Sequence, residues 1–112
     1  MDHRDEIILR KVLLEIKVAK DMMEDCTFAD FCENEMLKRA VCMTVINIGE
    51  LVKNLSEHCR NAHKGIPWKE IAGFRDIAAH KYQTLRMEDV YETVTADFTA
   101  LSCEIGQIIH RY

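Results

Sequence analysis

Proline occurs once in this chain and glycine only four times among its 112 residues. So few turn formers exclude a sheet protein with many tight turns, and no strand pattern of alternating residues is found. Apolar runs are short as well. None approaches the roughly 18 residues that span a bilayer, so no membrane partner is expected. The start, MDHRDEIILR, is charged from its second residue and lacks the apolar stretch of an export signal. The five cysteines, at 26, 32, 42, 59 and 103, are odd in number and contain no C-x2-C pair. No Cys–His cluster has zinc spacing either. A disulfide framework and a spaced metal site are therefore excluded. Reduced, mostly buried thiols in a cytoplasmic protein are expected, with no metal and no cofactor.

What is abundant is apolar and charged residues, at 48% and 30%. At this length the composition predicts one all-α domain spanning residues 1–112, an up-and-down bundle that gains from dimerisation. Apolar residues recur at steps of three and four. Ile8, Val12, Ile16, Ala19 and Met23 mark a first helix from about Asp2 to Glu24. Thr27 caps a short helix that docks Phe28 and Phe31. Leu37, Val41, Val45, Ile48, Val52 and Leu55 mark a long helix from about Glu35 to Cys59, with Gly49 as a candidate crossing point. The loop NAHKGIPW precedes a helix from Pro67 to Ala79 or His80, with Trp68 as its core anchor. Met87, Val90, Tyr91, Val94, Phe98, Leu101, Ile105 and Ile108 mark a last helix from Met87 to Ile109. Three long helices and one or two short ones result.

Net charge is −4, which speaks against a general nucleic-acid binder. Its distribution is uneven. From His58 to Arg86, six basic residues (Arg60, Lys64, Lys69, Arg75, Lys81, Arg86) face only Glu70 and Asp76, so this segment carries +4 and the rest −8. It is either a solvated basic face or a local phosphate-attracting patch, to which His58, His63 and Lys64 could add RNA contacts.

Within that segment lies FRDIAAHKY, residues 74–82. Arginine offers a planar, permanently charged fork for a phosphate, and histidine moves protons near neutral pH. Together they could drive an RNA 2′-hydroxyl, or a water, onto phosphorus without a metal. Asp76 and His80 are four apart, so the carboxylate could orient the imidazole. Arg75 and His80 are five apart, about 140° around a regular helix. Either the helix unwinds near His80 or two copies of the chain pair their motifs. Glu50, in an apolar helix, is a candidate hydrogen-bond partner for Arg75. Taken alone, Arg75 and His80 read more readily as a solvated arginine and a helix cap. With seven Arg, five His and three Tyr, the pattern R-x4-H-x-Y is expected only about 0.01 times by chance.

RDIAAHKY (75–82) resembles the R-x4-H-x-Y signature of the HepT-like branch of the HEPN superfamily. INIGELVKNLSE (46–57), GIPWKEIAGFRD (65–76) and RMEDVYETV (86–94) resemble other parts of that family, so the likeness covers essentially the whole chain. One departure is Asp76, where asparagine is common. The resemblance implies a helical homodimer whose two motifs meet at a cleft across the interface. It further implies a metal-independent ribonuclease toxin with Arg75 and His80 catalytic, Asp76 and Glu50 supporting, and Lys81, Arg86 and Lys64 contacting RNA. Its implied partner is an MntA-type nucleotidyltransferase antitoxin that silences it by transferring AMP to Tyr82. Two other readings remain: a non-catalytic nucleotide-binding or substrate-binding companion of a nucleotidyltransferase, and a plain helical dimerisation protein.

Overall fold

Asp2 turns its carboxylate back onto the backbone N–H of Arg4 (2.9 Å) and starts α1, His3–Met22, with Asp5 and Glu6 in its first turn. The structure, a computed structural model, describes residues 1–111. The stripe Ile8, Val12, Ile16, Ala19 is buried along α1 and continues into Met23. Thr27 and Asp30 form a reciprocal capping box that starts α2, Phe28–Glu33. Phe31 is completely buried. Phe28 stays partly exposed, its ring edge-on to Tyr91 with centroids 5.2 Å apart.

Asn34 accepts from the N–H of Leu37 and starts α3, Glu35–Lys53. This helix was expected to reach Cys59, but it stops six residues earlier. Ser56 caps a separate short helix, α4, Glu57–Ala62, by accepting from the N–H of Cys59 (3.0 Å). The cause lies on α1. The buried Asp5 accepts from the backbone N–H of Ser56 (2.9 Å) and from its hydroxyl (2.6 Å), which holds the chain in a non-helical conformation there. Removing a buried charged acceptor strands the donor it served. Asp5→Ala is therefore expected to cost roughly 2–3 kcal/mol, read as a lower midpoint in urea unfolding; an unchanged midpoint would refute this role.

Pro67 precedes α5, Trp68–His80, and Trp68 is buried with its indole N–H donating to the carbonyl of His63 (3.0 Å). A 3₁₀ turn, Tyr82–Thr84, leads to α6, Met87–Glu92. The expected uniform last helix is instead interrupted. Thr93–Asp97 forms a wider π-helical stretch before α7, Phe98–Arg111. The hydroxyls of Thr93, Thr95 and Thr99 each donate to the carbonyl four residues back. Such back-bonding competes with the helical N–H ladder and perturbs its pitch.

α3 is the central element, packed on α1 on one side and on α5 on the other. α1 and α3 run in opposite directions, since Asp5 meets Ser56 and Glu15 meets Asn47. α7 packs on α1, and α2 bridges α3 and α6. The core joins most of the expected stripe residues, such as Ile16, Ile48, Val94 and Ile105, with Leu9, Ile66 and Ala78 added; Leu37, Met87 and Tyr91 are only partly buried against it. No strand occurs among the described residues, and no helix there is long and apolar enough to cross a membrane. The thiols are all free, yet only Cys42 and Cys59 are buried; Cys26 and Cys32 are half-buried and Cys103 is exposed. Cys26 precedes the short α2, Cys32 lies within it, and Cys103 sits on the outer side of α7, so most lie outside the central stripes.

Candidate active site

The site begins with an atom that is missing. Gly49 lies on α3 where α5 crosses it. A methyl group there would overlap Cβ of Arg75 and stand 2.7 Å from its Cγ and 3.3 Å from the carbonyl oxygen of Ile71. Glycine thus lets the two helices close, and the root of the Arg75 side chain rests against the α3 backbone.

From that root the guanidinium is held by two carboxylates. Nη2 lies 3.0 Å from Glu50 Oε2, one residue along from Gly49, and Nη1 donates to Asp76 Oδ1 at 3.2 Å. The expected Glu50–Arg75 pair therefore exists, although Glu50 stands at the surface rather than in the interior. Arg75 is the more enclosed partner, its side chain 22% exposed and its Nε buried without an acceptor among the described residues. A third group completes the arrangement. Lys53 Nζ donates to Asp76 Oδ1 at 2.6 Å, across from α3 to α5. Lys53 first, then Arg75, holds the Asp76 carboxyl below the usual carboxylate range. A carboxyl whose folded value is depressed contributes its stabilisation above the ordinary aspartate pKa and loses it as pH falls through the lowered value. Asp76 thus remains a charged partner of Arg75 throughout the neutral and mildly acidic range.

His80 is placed differently. α5 stays regular through His80, so the helix does not unwind to bring it beside Arg75. The expected support of His80 by Asp76 is also not what the structure has. Asp76 turns to Lys53 and Arg75, whose positive charges compete better for it than an exposed imidazole. His80 is exposed and makes no side-chain hydrogen bond or ion pair among the described residues. Arginine and histidine of the motif thus share a helix but not a face.

Tyr82, just beyond the helix, reaches back to the start of α3. Its hydroxyl donates to Glu35 Oε2 (2.9 Å), and the Arg39 guanidinium lies over its ring, 4.9 Å from the centroid. Burial, followed by the Glu35 carboxylate, pushes the Tyr82 hydroxyl up to about 12.

The basic residues of the segment do not form one surface. Arg60, Lys64 and Lys69 line an open groove of about 740 Å³ that runs past Trp68 to Asp76. Arg86 lies in another groove, of about 690 Å³, beside Asp89, Glu92 and Asp97, and pairs with Glu88 at 3.2 Å. Gly73 of α5 borders both, so the helix stands between Lys64 and Arg86. Lys81 is exposed next to His80.

Sequence reasoning missed Lys53, Glu35 and Arg39. Lys53 had a faint signal, three residues after Glu50 on the same side of α3, and Glu35 and Arg39 are a four-residue pair at 2.8 Å. Nothing local joins Tyr82 to Glu35, 47 residues away.

The chain as a whole is similar to known proteins. The chain is 32% identical over 103 residues to "Putative RNase TTE0752" of Caldanaerobacter subterraneus subsp. tengcongensis, covering 92% of each. It is 34% identical over 101 residues to "Putative RNase MJ0127" of Methanocaldococcus jannaschii, covering 90% of this chain and 84% of that one. Over 99 residues it is 28% identical to "Probable ribonuclease HepT" of Thermococcus cleftensis, covering 88% of each. No solved structure matches. The family described as Ribonuclease HepT-like matches residues 12–108, nearly the whole sequence, and the chain belongs to the HepT-like family.

Proposed function

We propose that this protein is a ribonuclease that acts as a homodimer, with each site assembled from Arg75 of one copy and His80 of the other. The observation that supports this most directly is the contrast between the two side chains. Arg75 is held by Glu50 and Asp76, whereas His80, at the end of the same helix, is exposed and without a side-chain hydrogen bond or ion pair among the described residues. A helix-capping histidine would be bonded to a carbonyl; this one is available. Arg75 clamps the scissile phosphate and stabilises the charge that develops on it. His80 moves the proton, at the attacking hydroxyl or at the leaving oxygen. The second copy resolves the geometry, because the two groups face different directions on one chain.

Glu50 and Asp76 set the direction of the guanidinium. Lys53 keeps Asp76 charged and offsets the carboxylates that would otherwise repel RNA. Lys81, beside His80, and Lys64, in the groove with Arg60 and Lys69, contact the RNA backbone. Arg86 contributes less, being tied to Glu88 on the other side of α5. In the cell the protein is the toxin of a pair, and an MntA-type nucleotidyltransferase silences it by transferring AMP to Tyr82. The adduct adds bulk and negative charge two residues from His80, where RNA phosphate must approach.

The test is incubation of the purified protein with RNA in EDTA, with the mass in solution measured by light scattering. Cleavage by a species of twice 13.0 kDa is expected. An inert dimer, or cleavage by a species that stays monomeric at working concentration, would overturn the reading.

A further inference from the structure

Tyr82 is held by a set of residues separate from those around Arg75. Glu35, the first residue of α3, uses both carboxylate oxygens. Oε1 lies 3.3 Å from Lys38 Nζ, while Oε2 accepts from Arg39 Nε at 2.8 Å and from the Tyr82 hydroxyl at 2.9 Å. The ring is fixed underneath Arg39. The Glu35 side chain is 56% exposed, so the hydroxyl meets its acceptor at the edge of the protein, where a second protein can bring a nucleotide. A tyrosine kept only for packing needs no ion-paired carboxylate on its hydroxyl.

We infer that Glu35 is the built-in base for nucleotidyl transfer to Tyr82, so that the acceptor protein carries part of the catalytic machinery for its own modification. The inference rests on the reading of Tyr82 as the AMP acceptor. The step balances as follows. Tyr82 Oη attacks the α-phosphorus of ATP and forms a P–O bond; the bond from that phosphorus to the bridging oxygen breaks, and pyrophosphate leaves. The tyrosine proton passes to Glu35 Oε2 and from there to solvent. The resulting aryl ester has no proton to donate, so the Tyr82–Glu35 hydrogen bond is lost on modification. The new phosphate charge also repels the carboxylate, which frees Tyr82 from the start of α3.

Charge supports the assignment. With its hydroxyl pushed up to about 12, Tyr82 is almost wholly protonated at neutral pH and is a poor nucleophile without a base. Glu35 is held below the usual carboxylate range, first by the hydrogen bond from Tyr82 and then by Lys38, so it is ionised and able to accept. As a weak base it takes the proton only while the P–O bond forms, which is general-base catalysis. The other titratable groups facing this pair are Lys38, Arg39 and the thiol of Cys42, which burial pushes up to about 11. With its thiol pushed so high, Cys42 stays neutral between pH 6 and 9.

Initial rates of AMP addition, followed by intact mass with ATP and an MntA-type nucleotidyltransferase, test this across pH 6–9. Wild type is expected to show a flat profile, and Tyr82→Phe no addition. Glu35→Gln is expected to slow addition by about 10²-fold at pH 7, with a rate rising about tenfold per pH unit as tyrosinate becomes the only nucleophile. Glu35→Asp keeps the flat profile at an intermediate rate, which separates loss of the base from loss of fold. A Glu35→Gln rate equal to wild type, or one slowed but still flat with pH, overturns the inference while the acceptor reading stands. Absence of AMP on wild type, or addition that survives Tyr82→Phe, overturns both.

Discussion

His80→Ala is expected to lower RNA cleavage by about 10²- to 10⁴-fold, the usual worth of a positioned acid or base, with no change in thermal midpoint. The imidazole is exposed and makes no side-chain hydrogen bond or ion pair among the described residues that folding would miss. Arg75→Ala should cost cleavage about 10²- to 10³-fold and should also lower stability, because it leaves Glu50 and Asp76 facing each other without their shared cation. Arg75→Lys keeps the charge but not the fork, and is expected to restore stability better than cleavage.

The two inactive variants also test where the site is. In an isolated mixed dimer of Arg75→Ala and His80→Ala chains, a site built across the interface has one intact copy: arginine from the second chain and histidine from the first. About half of wild-type activity should return, because two-fold symmetry provides two equivalent sites and only one is repaired. A site contained within each chain predicts that the mixed dimer stays inactive. An activity in His80→Ala equal to wild type would remove the histidine from the mechanism altogether.

Gly49→Ala is expected to be the most damaging single-atom change outside the motif. In an ordinary helix, alanine is better than glycine by about 1 kcal/mol. Here the added methyl would overlap Cβ of Arg75, an atom that no side-chain rotation can move aside. α5 must retreat from α3, at an overpacking cost of roughly 1–3 kcal/mol or more, which exceeds the propensity gain. The retreat also carries Arg75 away from Glu50. Displacement of a catalytic group by about 1 Å can cost 10²-fold in rate. Denaturant midpoints and cleavage rates should therefore fall together. An Arg75→Gly background removes the clashing Cβ, and in it Gly49→Ala should become neutral or stabilising. If the substitution costs the same in both backgrounds, the crossing contact is not what Gly49 serves.

Much of the fold was legible because the relevant interactions are local. Thr27 and Asp30 cap α2 within four residues, and the buried stripe of α1 repeats at steps of three and four. Where the local signal misled, a distant or competing group was responsible. The helix expected through Cys59 ends at Lys53 because Asp5, 51 residues away, holds Ser56. The last helix widens because three threonine hydroxyls compete for its carbonyls. The candidate site follows the same division. Arg75, His80 and Tyr82 stood out by type and spacing, and Glu50 by its charge in an apolar helix.

The sequence by itself therefore determined the helical class, most of the buried faces, the motif and the family, but not where the third and last helices are interrupted. It also posed the 140° separation of Arg75 and His80, since helical pitch follows from the backbone alone. Only the tertiary structure decided which charges meet. Lys53 with Asp76, Glu50 with Arg75 and Glu35 with Tyr82 are pairs between elements, and each depends on where α5 lies across α3. That placement allows Gly49 to lie directly against Arg75, a close approach no periodicity encodes. Long polar side chains choose partners only after packing has fixed the distances between helices, so the carboxylate on Tyr82 became visible only in the assembled fold.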